Sequence, residues 1–333
     1  MQRFGIIGGG AWGTALAQVL CRTGVEVVLW AREAEVVESI NRARENPLFL
    51  PGVKLEAGIK ATSSFAEAAR ADAVLLVPPA QHLREISKSL APFLDKGTPI
   101  VICAKGIEEK TGALMSEAAS AVLPGAKLAV LSGPTFAAEV AKGLPTAVTL
   151  AAADPGLGKT LAEALGGRGF RPYLSDDMTG AQVGGAVKNV MAIACGIVMG
   201  KRMGDNARAA LITRGLAEMV RLALAKGARA ETLMGLSGLG DLVLTCAGPQ
   251  SRNLSLGIAL GEGQKLDSIL ASRRSIAEGV SSSAACVALA RKLDIEMPIS
   301  AAVAAILHQG ADVDREIEAL LSRPFKPEAP KKS

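Results

Sequence analysis

Two lysines of this chain lie in apolar, glycine-rich surroundings. Lys105 follows the apolar run of residues 100–104 and precedes Gly106, and Lys188 lies in residues 180–194, which hold almost no other charge. Partial burial and a nearby cation lower a lysine pKa toward the range that is useful for proton transfer. The pattern therefore predicts acid–base chemistry at Lys188; the alternative is a lysine whose stem extends along a domain boundary.

The chain has only two histidines, and we assign proton transfer to neither. His308 ends the apolar run of residues 304–308, so it is expected to be structural. His82 follows a turn at residues 77–81 and is expected to begin a helix.

A second polar segment covers residues 235–253. Arg252 and Asn253 follow Ser251 at a predicted helix start, where a guanidinium, an amide and free backbone N–H groups could converge on a phosphate. Asp241, in a glycine-rich turn, could hold a lysine ammonium or a substrate hydroxyl. The alternative is a loop followed by a helix cap.

A glycine loop, Gly8-x-Gly10-x-x-Gly13, connects a predicted strand at residues 3–7 to a predicted helix at residues 14–20. Gly8 permits the tight turn, Gly10 lets the backbone approach a pyrophosphate, and Gly13 lets the helix pack on the strand. A second predicted strand, residues 25–30, completes the start of a βαβ unit. The spacing predicts a dinucleotide site, against a purely structural glycine turn.

The residues after the second predicted strand bear on the choice of cofactor. A carboxylate that would bind the ribose of NAD is absent from the strand tip, where the sequence is Trp30-Ala31-Arg32-Glu33. Arg32 could pair with a 2′-phosphate, which favours NADP over NAD. The alternative is an exposed arginine with Glu33 turned inward to bind the ribose.

Composition restricts the class of protein. At 333 residues and 49% hydrophobic content the chain suits two domains, and aromatic content of 3% with a net charge of +5 gives little support for nucleic-acid binding. The five cysteines are scattered and form no C-x-x-C pair, so buried reduced thiols are expected, with no disulfide framework and no metal cluster. We expect no membrane span and no signal sequence, and therefore a cytoplasmic protein.

The order of predicted elements indicates an α/β fold. Strand-like runs at residues 73–77, 99–103, 127–131, 146–151 and 170–174 alternate with helical runs, and from about Thr179 the pattern is helical only. We expect a Rossmann-type doubly wound sheet over residues 1–179, an all-helical domain over residues 180–322, and a disordered tail over residues 323–333. Asn206 is expected to cap a helix that ends near Gly227.

With these segments in place, residues 1 to about 322 resemble the bacterial NAD(P)-dependent glycerol-3-phosphate dehydrogenases. The similarity is carried by residues 8–15, 104–106, 131–137, 184–189, 238–242, 250–253 and 277–279. Gly9 and Ala11 vary the first loop, and Pro79 stands where the family often has serine. The resemblance implies interconversion of dihydroxyacetone phosphate and sn-glycerol 3-phosphate, which supplies phospholipid synthesis.

The resemblance also implies roles for individual residues. Lys188 would be the proton donor and acceptor, with Lys105 and Asp241 beside the reacting oxygen. The substrate would be bound by Lys105, Gly133, Thr135, Lys188, Asp241, Ser251, Arg252 and Asn253. The cofactor would be lined by Ala11, Trp12, Arg32, Lys105, Ala137, Arg252, Ile276 and Glu278, besides the glycine loop.

Two other functions stay open at this point. One is a sister reductase of a 2-keto acid or a β-hydroxy acid, against which the phosphate-binding pattern at residues 251–253 weighs. The other is a catalytically silent NADP-sensing protein, which would need neither Lys188 nor Asp241. A homodimer is left open.

Overall fold

The computed structural model describes residues 1–271, 277–325 and 327. Eight strands form one sheet in the order β3-β2-β1-β4-β5-β6-β7-β8. The strands are β1 (Arg3–Ile7), β2 (Glu26–Trp30), β3 (Ile59–Thr62), β4 (Ala73–Leu76), β5 (Pro99–Ile102), β6 (Lys127–Ser132), β7 (Thr146–Ala152) and β8 (Phe170–Ser175). The predicted doubly wound sheet is confirmed.

The strand directions bring the predicted site loops to one edge of the sheet. Strands β1 to β6 are mutually parallel, and β7 pairs antiparallel with β6 before β8 pairs parallel with β7. The loops that follow β1, β5 and β6 therefore leave the sheet at the same edge, where open α/β sheets bind ligands. The sequence prediction did not include β3. This strand is short, lies at the edge of the sheet and exposes Lys60, so it has no continuous apolar run.

Seven helices accompany the sheet, with short 3₁₀ turns at Ala80–His82 and Ala91–Phe93. They are α1 (Ala11–Arg22), α2 (Ala34–Ala43), α3 (Phe65–Ala69), α4 (Leu83–Leu90), α5 (Met115–Ser120), α6 (Ala137–Ala141) and α7 (Pro155–Leu165). The central strands β1, β4 and β5 are buried on both faces, so they consist of nearly continuous apolar runs rather than alternating patterns.

The second half of the described chain is helical, as predicted. It comprises α8 (Met178–Gly200), α9 (Asp205–Ala225), α10 (Ala230–Leu233), a π-helical turn (Leu236–Gly240), α11 (Asp241–Ala247), α12 (Arg252–Gly261), α13 (Leu266–Ala271), α14 (Glu278–Lys292), α15 (Pro298–Gln309) and α16 (Val313–Leu321). Of the predicted tail at residues 323–333, residues 326 and 328–333 lie outside the described part of the chain.

Helix α8 is the centre of the helical half. Every residue from Gly180 to Val198 is buried, and α9, α11, α12, α14 and α15 all pack against it. By length and hydropathy α8 is the one helix among the described residues that could cross a membrane, but 89% of its most apolar window is buried inside the protein. Its apolar character on all sides is therefore explained by its central position.

Helices α8 and α12 cross at backbone contact. A Cβ atom on Gly257 would lie 2.0 Å from the Ile193 carbonyl oxygen, and one on Gly196 would lie 2.2 Å from the Leu254 carbonyl oxygen. Real Cβ atoms do not approach this closely, so these positions exclude any side chain. The close crossing brings the start of α12 beside the middle of α8.

Two local predictions have different outcomes. The predicted cap at Asn206 is wrong: α9 begins at Asp205, its N-cap is Gly204 with φ of 89°, and Asn206 lies inside the first turn. Gly227 does end this helix, since its N–H donates to the Leu224 carbonyl and its φ is 79°. All five cysteines are free thiols, four of them buried.

Candidate active site

A buried carboxylate joins the two lysines that the sequence singled out. The Nζ of Lys188 lies 2.5 Å from Asp241 Oδ1, and the Nζ of Lys105 lies 2.7 Å from Asp241 Oδ2. Asp241 is fully buried, while the side chains of Lys188 and Lys105 are 8% and 13% exposed. We call these three residues the Lys–Asp–Lys cluster. One aspartate thus fixes both ammonium groups from opposite oxygens.

Each lysine has one further hydrogen-bond acceptor. Lys188 donates to Thr245 Oγ1 at 3.0 Å, and Lys105 donates to the Gly133 carbonyl at 2.9 Å. Thr135, the other residue predicted at this loop, donates from Oγ1 to the same Gly133 carbonyl at 3.2 Å. The loops after β5 and β6 are therefore joined through Lys105.

Glycines in α8 let the cluster assemble. A Cβ on Gly184 would lie 2.2 Å from the Ser237 carbonyl oxygen, so this position admits the π-helical turn that leads into Asp241. A Cβ on Gly185 would lie 3.3 Å from the Cγ and Cδ atoms of Lys105, so this position leaves room for the lysine stem. The apolar, glycine-rich sequence before Lys188 is thus a packing surface for the other two members.

The environment of Lys188 makes its ammonium group easier to deprotonate. Burial is the largest cause, and with the positive charge of Lys105 it outweighs the favourable interaction with Asp241; together they lower the pKa of Lys188 from 10.5 to about 8. A pKa near the working pH is suited to a group that both gives and accepts a proton. Burial likewise raises the pKa of Glu278 at the start of α14, although Arg252, Lys188 and Lys105 oppose that rise.

The predicted phosphate-binding residues lie at the start of α12. Ser251 is its N-cap, with Oγ accepting from the Leu254 N–H at 3.2 Å. Arg252 is the first helical residue, and its charge acts on Glu278. Asn253 is buried; its Nδ2 donates to Asn189 Oδ1 at 3.0 Å and its Oδ1 accepts from the Gly279 N–H at 3.0 Å. Asn253 therefore joins the starts of α12 and α14 to the residue that follows Lys188.

Sequence reasoning assigned no role to Asn189 or Thr245, although both touch the site. Thr245 lies four residues after Asp241 on α11, a spacing that places two side chains on one helix face. That spacing is a signal that could have identified it. Asn189 is adjacent to Lys188, but its contact with Asn253 depends on the crossing of α8 and α12, which the sequence does not reveal.

The glycine loop has the geometry that a bound pyrophosphate requires. Gly8 has φ of 134°, and a Cβ on Gly13 would lie 1.8 Å from the Gly8 carbonyl oxygen. A Cβ on Gly10, the N-cap of α1, would meet nothing within 4 Å. No group in the described part of the chain accepts a hydrogen bond from the N–H groups of residues 10–13. The residues present therefore fit a dinucleotide, because free N–H groups at a helix start bind phosphate anions.

The remaining residues predicted at the cofactor lie around this loop. Ala11, Trp12 and Ala137 are partly buried against the same core, and Trp12 Nε1 is buried without a hydrogen-bond partner in the part of the chain that the structure describes. Arg32 is 77% exposed and pairs with the 24% exposed Glu33 at 2.8 Å. Ile276 lies outside the described residues.

The histidines take other positions. His308 Nε2 lies 3.0 Å from both Ser283 Oγ and the Val280 carbonyl, so it joins α15 to α14. His82 ends the 3₁₀ turn before α4. No cluster of three metal-ligating side chains occurs within the described ranges.

A Rossmann-type sheet with a phosphate-binding glycine loop and a buried, deprotonatable lysine defines a dinucleotide-dependent oxidoreductase. Residues 3–157 match the N-terminal family of NAD-dependent glycerol-3-phosphate dehydrogenase, and residues 177–318 match its C-terminal family. The chain belongs to the NAD-dependent glycerol-3-phosphate dehydrogenase family.

Individual relatives agree with this assignment. The chain is 59% identical over 327 residues to glycerol-3-phosphate dehydrogenase [NAD(P)+] of Parvibaculum lavamentivorans, covering 98% of each chain. It is 60% identical over 329 residues to the protein of the same name from Rhodospirillum rubrum, covering 98% of this chain and 94% of that one. The crystal structure of glycerol-3-phosphate dehydrogenase from Coxiella burnetii has a TM-score of 0.93 at 41% identity, covering 97% of this chain and 99% of that one.

Proposed function

We propose that this chain interconverts dihydroxyacetone phosphate and sn-glycerol 3-phosphate with Lys188 as the proton donor and acceptor. The activity is that of an NAD(P)-dependent oxidoreductase, as in its full-length relatives, and its product is the backbone of glycerophospholipids. The observation that carries the role of Lys188 is its burial against Asp241 with a pKa lowered to about 8.

A nicotinamide cofactor held at the glycine loop would supply a hydride for the ketone carbon or accept one from the alcohol. Lys188 gives a proton to the ketone oxygen during reduction, and takes it back during oxidation. Asp241 holds the ammonium group in place, and Thr245 restricts its direction through Oγ1. A proton donor held by two acceptors is oriented before the substrate arrives, which favours the transition state.

Lys105 acts electrostatically. Its ammonium group is fixed by Asp241 and the Gly133 carbonyl beside the loop after β6. A fixed cation in a water-poor site stabilises the alkoxide that develops on the reacting oxygen. Lys105 also contributes to the lowered pKa of Lys188, so it assists proton transfer as well as stabilising the alkoxide.

The substrate phosphate is bound at the start of α12. Arg252 provides a charged guanidinium, and Ser251 and Asn253 set the helix start through their own hydrogen bonds. A guanidinium at a helix N-terminus favours a dianion. Gly133 and Thr135 complete the wall of the site next to Lys105.

The cofactor is NAD or NADP, and we propose that NADP is preferred. Arg32 is exposed, and among the described residues its guanidinium pairs only with the adjacent Glu33. The guanidinium can therefore turn toward a 2′-phosphate. When the cofactor lacks the 2′-phosphate, Arg32 can stay paired with Glu33, so NAD can also be accepted. The residues assigned to the cofactor are Gly8, Gly10, Ala11, Trp12, Gly13, Arg32, Lys105, Ala137, Arg252 and Glu278, with Ile276 outside the described residues.

We assign residues 1–179 to dinucleotide binding and residues 180–322 to substrate binding. The Lys–Asp–Lys cluster supports this division, since Lys105 follows a strand of the sheet while Lys188 and Asp241 belong to the helical half. We further propose a cytoplasmic protein that acts on a small phosphorylated substrate, as a homodimer.

The test measures NADPH oxidation with three ketones: dihydroxyacetone phosphate, unphosphorylated dihydroxyacetone and a 2-keto acid. We expect efficient reduction of the first only. Lys188→Ala should lower kcat by ~10²–10⁴ because a general acid is lost, while the Kd for NADPH stays close to wild type. A preference for the 2-keto acid would favour the sister reductase, and binding without any turnover would favour the sensing protein. Turnover of Lys188→Ala within a few-fold of wild type would contradict the role of that lysine.

A further inference from the structure

A buried amide outside the Lys–Asp–Lys cluster contacts the glycine loop. Asn46, two residues after the C-cap of α2, is fully buried. Its Nδ2 donates to the Gly9 carbonyl at 2.9 Å and to Thr14 Oγ1 at 2.8 Å, while its Oδ1 accepts from the Phe49 N–H at 3.2 Å. Thr14 Oγ1 also lies 3.4 Å from the Gly9 carbonyl oxygen. The Gly9 carbonyl is thus held toward the protein interior by side chains.

The position of that carbonyl sets the direction of the next N–H group. A trans peptide is planar, with its C=O and N–H bonds pointing in opposite directions. Because the Gly9 carbonyl points toward Asn46, the Gly10 N–H points away from Asn46. The space around Gly10 is open, and no described residue accepts a hydrogen bond from its N–H group.

We propose that Asn46 is a positioning residue for the dinucleotide: it holds the Gly9–Gly10 peptide so that the Gly10 N–H faces the pyrophosphate. This inference rests on the proposed use of NAD(P)H. Asn46 itself touches no part of the cofactor in this arrangement. It acts through one peptide group.

The reverse orientation of this peptide would oppose binding. Glycine residues on both sides leave the peptide free to rotate, because they accept backbone angles that other residues avoid. In the reverse orientation the Gly9 carbonyl oxygen would face the pyrophosphate, so an acceptor would replace a donor beside an anion. Without the Asn46 amide, the inward orientation would also leave a buried carbonyl without its main donor.

The chain offers a matched control in Gln18. This buried α1 residue donates from Nε2 to the Lys54 carbonyl at 3.2 Å, and its Oε1 accepts from the Glu56 N–H at 2.9 Å. It therefore ties the segment after α2 to α1, as Asn46 does, without a hydrogen bond to the glycine loop. Asn46→Leu and Gln18→Met each replace a buried amide by an apolar side chain of similar size.

The test compares ligand affinity in these two variants. Kd values are measured for NADPH and for ADP-ribose, which both contain the pyrophosphate, and for 2′-AMP, which lacks it. For Asn46→Leu we expect the Kd for NADPH and ADP-ribose to rise about tenfold, since a hydrogen bond to a charged group is weakened, and the Kd for 2′-AMP to change less than about twofold. Gln18→Met should leave all three affinities near wild type, although both variants should melt at a lower temperature.

Kinetics give a second readout. For Asn46→Leu, KM for NADPH should rise while kcat at saturating NADPH stays within about twofold of wild type, because the chemistry occurs at a separate cluster. An unchanged Kd for NADPH in Asn46→Leu, or an equal loss of affinity in both variants, would overturn the inference.

Two further outcomes separate folding and activity from positioning. If Asn46→Leu does not fold, Thr14→Val removes the hydroxyl that accepts from Asn46 and should weaken NADPH binding about threefold, in line with a weaker neutral hydrogen bond. Unchanged affinity in Thr14→Val would then overturn the inference. A wild-type chain that binds NADPH but does not reduce dihydroxyacetone phosphate would refute the proposed activity, while the Kd comparison would still decide the role of Asn46.

Discussion

Replacing the central carboxylate by an amide, Asp241→Asn, tests the electrostatics of the active site. Asp241 is the only negative charge hydrogen-bonded to Lys188 or Lys105 among the described residues. Asparagine keeps the size of the side chain but removes the charge that favours protonated Lys188. Burial and Lys105 then act unopposed by Asp241, so the pKa of Lys188 must fall below its wild-type value of about 8.

The expected magnitude follows from this balance. An opposite charge at hydrogen-bond distance commonly changes a pKa by about 1 to 3 pH units, and we take about 2 for Asp241. At about pH 8, wild-type Lys188 is half protonated, whereas the variant would be about 1% protonated, a loss of about 50-fold in the active form. At about pH 6 the same comparison gives a loss of only about twofold. Any loss from altered geometry would multiply the fold loss by the same factor at both pH values.

The assay is the pH dependence of kcat/KM for dihydroxyacetone phosphate at saturating NADPH, in the reducing direction. Activity of the wild type should fall as the pH rises through about 8, since Lys188 loses the proton that it donates in the proposed mechanism. The fall should begin at lower pH in Asp241→Asn. Thr245→Val is the matched control, because it removes a neutral contact to Lys188 and should leave the profile nearly in place. An Asp241→Asn profile that falls at the wild-type pH would refute this account of Lys188.

Substitutions at three other positions have definite expected results. Arg32→Ala should weaken NADPH binding far more than NADH binding, because only NADPH carries the 2′-phosphate; equal losses in titrations of both cofactors would contradict the preference. Arg252→Ala should lower kcat/KM for dihydroxyacetone phosphate by about 2–5 kcal/mol, and Arg252→Lys should recover only part of it. The unphosphorylated ketone should be much less affected, and NADPH affinity is measured in the same variants because Arg252 is also assigned to the cofactor. Gly257→Ala should destabilise the fold by about 1–3 kcal/mol or more, since its Cβ would lie 2.0 Å from the Ile193 carbonyl oxygen. An unchanged denaturant midpoint would contradict the close helix crossing.

The sheet could be predicted because each of its central strands is a short apolar run. Residues 3–7, 73–77 and 99–103 carry enough β-branched and apolar side chains to be recognised without knowledge of their neighbours. β3 could not, because an edge strand that exposes Lys60 has half the apolar signal. The start of α9 was misplaced because Asn206 is a common cap residue, whereas the observed cap, Gly204, is set by a backbone angle of φ 89°.

The sequence singled out the three residues of the Lys–Asp–Lys cluster and a possible contact between Asp241 and a lysine ammonium, but it did not reveal that one carboxylate holds both lysines. Lys105 and Lys188 were recognised by their apolar surroundings, and Arg252 by its place at a helix start. Their common partner, Asp241, is 136 residues from Lys105 and 53 from Lys188, so only the packing of the π-helical turn on α8 brings the three together. Asn46 has no motif at all; its importance lies in the Gly9 carbonyl that it contacts.

The charges of the cluster explain why a phosphorylated ketone suits this site. Two ammonium groups face one carboxylate, and the guanidinium of Arg252 adds a further positive charge that acts on Glu278. These three cations outnumber the carboxylates of Asp241 and Glu278 and leave an excess of positive charge. The lowered pKa of Lys188 has burial as its largest cause, with Lys105 adding to it and Asp241 opposing it. A phosphate dianion offsets that excess when it binds, whereas an uncharged ketone does not. Asp241 keeps both lysines in place before the substrate arrives, and we expect the positive charge that Asp241 does not offset to favour an anionic substrate over an uncharged one.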